Sequence, residues 1–151
     1  MRNLENDYNS EMMLEAAYDE AKKSNNQAGI DAVRKSHQLL VDAVQAEGKD
    51  YGMVLRMFVR SKKLDNSCID VNNDTYYDSI ESLVAAFRKY GVSSFTYSGS
   101  STRAMEDLWS LKTCGAKMQG MVQSNIREAC TYGDPNAEKY EKGPGFLFTL
   151  N

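Results

Sequence analysis

The feature that most constrains this chain is a change of hydrophobic period at Leu64-Asp65-Asn66-Ser67. Before it, apolar residues return every three or four positions, the spacing of helices with one buried face. After it, short β-favouring runs alternate with helical ones. That pattern fits an α+β fold, in which antiparallel N-terminal helices precede a small mixed sheet of three or four strands with a β-α-β crossover and packed helices. Placing the boundary at the change gives a helical segment, 1–64, and a small α/β unit, 65–151, with one continuous domain as the alternative.

In the first part, Met13, Ala16, Ala17, Tyr18 and Ala21 predict a helix from Ser10, its N-cap, to Lys23. Ile30, Val33, His37, Leu40, Val41 and Val44 form one stripe of a second helix, Gln27 to Ala46, with Gly48 positioned to end it. A third, Tyr51 to Lys63, carries Val54, Leu55, Phe58 and Val59 and finishes in basic residues whose sign suits a helix C-terminus. In the second part, strands are expected at Cys68–Val71, Ser93–Tyr97, Lys117–Gln123 and Phe146–Leu150. Helices are expected from Thr75 to Tyr90, closed by Gly91, and from Ser101 to Lys112, with Met105, Leu108, Trp109 and Leu111 as the apolar set. Strand, helix, strand predicts a right-handed parallel crossover, with the last strand antiparallel to its predecessor.

Composition narrows the function classes. With 42% apolar and 26% charged residues in 151, the chain is globular rather than disordered and long enough to bury a core without disulfides or metal. No run approaches a membrane span and the opening residues lack a signal-peptide core, so a cytoplasmic location without membrane contact is expected. Cys68, Cys114 and Cys130, odd in number and without a CxxC pair, read as small buried thiols. A net charge of −3 opposes non-specific nucleic-acid binding, although the cluster Arg56, Arg60, Lys62 and Lys63 leaves direct contact open. The oligomeric state is left open.

One turn has the location of a ligand site. Ser98, Gly99, Ser100, Ser101, Thr102 and Arg103 lie between a strand's carboxyl end and a helix's amino end, where free N–H groups, hydroxyls and a guanidinium suit an anion such as a phosphate. The plainer reading is a Ser N-cap with Gly99 permitting the turn, since no GxxxxGK[ST], GxGxxG or GxSxG is present. No cofactor is implied. No catalytic set emerges either: the sole histidine, His37, sits on an apolar stripe and reads as a satisfied, half-buried imidazole. Asp70, Asp74 and Asp78 read as turn and helix-start carboxylates, without EF-hand spacing or any other metal pattern. Tyr76, Tyr77, Tyr132 and Tyr140, with Arg56, Arg60, Lys62 and Lys63, are the candidate partner-binding residues, against the plainer readings of core and edge packing for the tyrosines and a solvated helix end for the basic cluster. Tyrosine offers rigid contact area with a polar tip.

The run Asp78 to Val92, Phe95-Thr96-Tyr97-Ser98, Trp109, Gly115 to Val122 and the ending Gly145 to Asn151 resembles an uncharacterised protein family of Firmicutes, often found on mobile elements. The resemblance spans about residues 74–151. It brings no established activity and no catalytic residues to carry over. Its implied context is that of small acidic phage or mobile-element proteins that bind a host protein or nucleoprotein complex, anti-CRISPR inhibitors of a defence nuclease among them.

Overall fold

The computed structural model describes all 151 residues and divides into two compact units, Met1–Leu55 and Arg56–Asn151. The first holds helices α1 (Leu4–Lys23) and α2 (Gln27–Glu47), which pack on one another as a hairpin, and the start of α3 (Lys49–Lys63). Helix α1 begins a turn and a half before Ser10. Its cap is Asn3, whose side chain accepts from the Asn6 N–H, and Asn26 does the same for Gly29 at α2. A buried polar lock ties Tyr51 to the hairpin: its hydroxyl donates to Asp7 at 2.5 Å, while Arg2 donates to both carboxylate oxygens at 2.9 and 2.7 Å. No α2 residue is fully buried, because the stripe from Ile30 to Val44 meets little besides α1. His37 is therefore exposed rather than half-buried.

The second unit is built on a four-stranded sheet of order β1-β2-β4-β3, from β1 (Ile69–Val71), β2 (Ser94–Tyr97), β3 (Lys117–Glu128) and β4 (Tyr140–Thr149). Strands β1 and β2 are parallel, joined through α4 (Ile80–Lys89). Strand β4 is antiparallel to both β2 and β3, as expected of the last strand. The connection through α5 (Ala104–Thr113) thus joins two parallel strands with β4 inserted between them. Pairing places Ile69, Val71, Phe95, Tyr97, Phe146 and Phe148 on one face. Phe95 meets Phe87 of α4 at 5.1 Å and stacks on Phe148 at 5.6 Å, and with Leu83, Val84 and Leu111 these rings make a buried core. Burying each such side chain contributes about 1.5–3 kcal/mol, which offsets the few backbone bonds that the short β1 and β2 can make.

Several local expectations change. Helix α4 starts at Ile80, not Thr75, because Thr75 is bonded back onto Asn72 and Ser79 closes a capping box with Ser82. Strands β3 and β4 extend past their expected ends into a long hairpin that takes in Gly143-Pro144-Gly145. The thiols are not buried: Cys68 and Cys114 are half-exposed and Cys130 is exposed. No helix is long and apolar enough to cross a membrane.

Candidate functional site

The carboxyl ends of β1 and β2 bring together residues from four segments. Asp70 is 6% exposed and lies inside the sheet, not at a helix start. Its Oδ1 accepts from Thr96 at 2.5 Å; its Oδ2 accepts from Ser98 at 2.8 Å and from the Asn72 amide at 2.9 Å, and Ser124 extends the chain to Thr96 at 3.2 Å. A carboxylate so surrounded by donors holds the Asn72–Asp74 turn and the Ser98 turn at one height above the sheet. Asn73 clamps them: its Oδ1 accepts from the Ser100 N–H at 3.0 Å and its amide donates to the Ser100 hydroxyl at 2.9 Å.

On the opposite face, Tyr97 donates to Asp107 of α5 at 2.7 Å and Tyr77 donates to the same oxygen at 3.4 Å. Burial, and then the neighbouring Asp107 carboxylate, push the Tyr77 hydroxyl up to about 12 and drive Tyr97 higher still, so both phenols stay protonated donors. Gly99 lies against this pair. Its φ is not in the left-handed region, so the turn does not require glycine for its backbone. A Cβ there would stand 2.5 Å from the Tyr97 hydroxyl oxygen, and it is this close approach that excludes a side chain.

The expected anion residues divide between two clefts. Gly99, Ser101 and Arg103 line one of about 480 Å³, with Tyr76, Tyr77, Tyr97 and the carboxylates Asp78, Glu81, Glu106 and Asp107. Helix α5 begins there with Arg103 as an N-cap that makes no side-chain cap bond. No Ser caps it; Ser101 only accepts from the Arg103 N–H at 3.3 Å, and Glu106 and Asp107 fill the first turn. Arg103 itself pairs with Glu106 at 3.3 Å, and Thr102 is exposed and lines neither cleft. Ser98, Gly99 and Ser100 line the other, about 360 Å³, where Arg127 is the charged group and Gly143 and Gly145 leave backbone accessible. The guanidinium of the second cleft comes from β3 rather than from the turn, and it is already paired, with Glu141 at 2.6 Å and Asp74 at 3.4 Å.

The candidate partner residues are distributed rather than gathered. Tyr76 is exposed beside the first cleft, Tyr132 is 93% exposed in the β3–β4 connection, and Tyr140 reaches the Lys63 carbonyl at 3.4 Å. Arg60 is committed inward, to Asp74 at 3.4 Å and the Ile126 carbonyl at 3.0 Å, whereas Arg56, Lys62 and Lys63 are exposed, Lys62 lying over the Phe58 ring at 5.3 Å. What sequence reasoning missed is an apolar surface. Ten large hydrophobic residues are exposed along the chain, and five of them, Met105, Trp109, Met118, Met121 and Val122, fall within eighteen consecutive positions. Of the apolar set assigned to α5 only Leu111 is buried, and Lys117 to Gln123 is exposed on both faces instead of alternating. The signal available was Met121, which breaks the alternation, and the Met105/Trp109 pair one helical turn apart.

A family model described as a domain of unknown function (DUF7698) matches residues 53–150. No curated protein and no solved structure matches the chain.

Proposed function

The chain belongs to the family of the domain of unknown function DUF7698, and from that premise we propose that it is a non-enzymatic interaction protein whose contact surface is the outer flank of α5 together with β3. The supporting observation is the concentration of exposed apolar side chains: Met105 at 79%, Trp109 at 65% and Met121 at 65%. On α5, residues 103, 106, 107 and 110 line the acidic cleft, so Met105 and Trp109 occupy the other flank. Register puts Met118 opposite Phe148 and Met121 opposite Phe146, on the sheet face that carries α4 and α5. Tryptophan and methionine on one layer, with Lys112 over the indole at 5.5 Å, have the composition of an interface centre rather than of an ordinary surface. The partner in this reading is a host protein or nucleoprotein complex, and the chain a phage or mobile-element product of Firmicutes acting as an anti-CRISPR-type inhibitor of a defence nuclease. That context rests on the family resemblance alone. Co-purification of the tagged chain with host defence nucleases tests it. Retention of a nuclease by the natural chain and its loss with Trp109→Ala supports the reading, and retention of none removes it.

A second reading has one observation in its favour. The Ser100 hydroxyl and the Arg127 guanidinium share the smaller cleft, where a phosphate-bearing ligand would compete with Glu141 and Asp74 for Arg127. Thermal shift with nucleotides and phosphorylated metabolites tests it: a ligand of the folded state raises Tm, and Arg127→Ala abolishes the rise. No shift with any of them counts against this reading.

A further inference from the structure

We infer that the free edge of β3 pairs with the same edge of a second copy of this chain, joining two four-stranded sheets into one of eight. Only one side of β3 is occupied, by β4, and β1, at the far edge of the sheet, is three residues long. Backbone parity shows which groups β3 turns outward. The Leu150 N–H bonds the Ser93 carbonyl, so Phe148 and Phe146, two and four residues back, direct their backbone groups at β2. Met121, opposite Phe146, and Gln123, opposite Pro144, therefore direct theirs away from β4. Pro144, which has no N–H, sits where none is required.

The same edge is closed a little further along. At Asn125 the Asn66 side chain stands in for a neighbouring strand, its oxygen accepting from the Asn125 N–H at 3.0 Å and its amide donating to the Asn125 carbonyl at 2.8 Å. Arg60 takes the next carbonyl, Ile126, at 3.0 Å. Side chains thus plug the edge at 125–126 and leave it open from Met118 to Ser124.

Exposed edges ordinarily carry a charge, a proline or a bulge that turns another strand away. Gly120-Met121-Val122-Gln123-Ser124 carries no charge and no proline, and the bulge of this edge, at Gln119, lies before it. The complement of an uncharged edge flanked by Met and Val is another of the same kind, and a two-fold axis at Val122 supplies it from this chain. Met121 and Gln123 then exchange N–H···O=C bonds with Gln123 and Met121 of the second copy, and the two Val122 side chains meet at a non-hydrogen-bonded position. Such pairing is isologous and closes at two, so it does not propagate into a fibre. It goes beyond the partner-binding reading: it shares β3 with that surface but uses the strand's backbone edge and Val122 in place of the outer flank of α5. With the axis at Val122, Met118 and Gln119 face the plugged positions 126 and 125 of the second copy, so pairing is confined to 120–124. That is far short of the roughly 20–30 residues a side of a standard interface, and the association is expected to be weak.

Sedimentation of the full chain from about 5 to 500 μM is suited to weak association. The average mass is expected to rise from 17.0 kDa towards twice that value. Val122→Glu and Val122→Lys place like charges opposite each other, so each alone remains monomeric at the highest concentration, and an equimolar mixture recovers the dimer. Gln123→Pro, which removes an outward N–H and no bond to β4, is also monomeric and serves if the Val122 variants fail to fold. A natural chain that stays at 17.0 kDa throughout overturns the inference, as does a folded Val122→Glu or Gln123→Pro variant that associates as the natural chain does.

Discussion

Replacing Asp70 tests whether its carboxylate is what holds the two turns together. In Asp70→Ala three donors lose their acceptor. Thr96 can turn towards the Ile69 carbonyl, already 3.5 Å away, and half-buried Ser98 can turn to water. The Asn72 amide, on a residue 5% exposed, has neither recourse. One stranded buried donor costs about 1–3 kcal/mol, and a hydrogen bond to a charged group contributes about 1.5–3 kcal/mol, so the loss should be about 3 kcal/mol. In Asp70→Asn the amide oxygen keeps Ser98 and Asn72, and its NH₂ faces a Thr96 hydroxyl that can rotate to accept. That variant should lose about 1 kcal/mol, the charge-assisted share. For a chain of this size the two losses lower Tm by roughly 10 °C and 3 °C. Urea unfolding and calorimetry of both variants supply the comparison. A loss below about 1 kcal/mol for Asp70→Ala, or an Asn variant as unstable as the Ala variant, refutes the reasoning from donor satisfaction.

Other perturbations follow from the same geometry. Gly99→Ala drives a methyl group into the buried Tyr97 ring and breaks its bond to Asp107, at about 1–3 kcal/mol; stability equal to the natural chain's would show that the ring has room to move. In the helical unit, burial pushes the Asp7 carboxyl up, but the Arg2 and Tyr51 hydrogen bonds outweigh it and hold its pKa below the ordinary value. Its stabilisation is therefore complete above the unfolded-state pKa of about 4 and is lost as pH falls through the lower folded value. Asp7→Asn should flatten that acid limb in unfolding measured from about pH 2 to 6, and an unchanged limb assigns the acid sensitivity to other groups. Asn66→Ala unplugs β3 at Asn125 and is expected to speed amide exchange there, with little change at Met118 and Lys117.

Much of the fold was legible because it is written in local patterns. The period change at Leu64 separated helical from mixed sequence, Gly91 and Gly48 marked helix ends, and both adopt positive φ there. What escaped depends on pairs distant in the chain. Asp70 looked like a turn carboxylate because Thr96 and Ser124, which enclose it, lie 26 and 54 positions further on. The Asn66 plug on Asn125 spans 59 residues and has no sequence signature. Gly99 was noticed for the wrong reason: glycine suggests an unusual φ, whereas here the ring of Tyr97 removes the space. Periodicity puts Met105 and Trp109 in the apolar set of α5 and Val122 in a strand, but it reports only that a face is apolar, not whether the same chain covers it.

Trp109 is the only tryptophan, so fluorinated tryptophan incorporated into the full chain gives a single ¹⁹F resonance at the centre of the proposed contact surface. Recorded with and without a host protein that co-purifies with the chain, that resonance should shift and broaden as the exposed indole is covered. A partner that binds while the Trp109 resonance stays unchanged would contradict the assignment of the contact surface to α5 and β3.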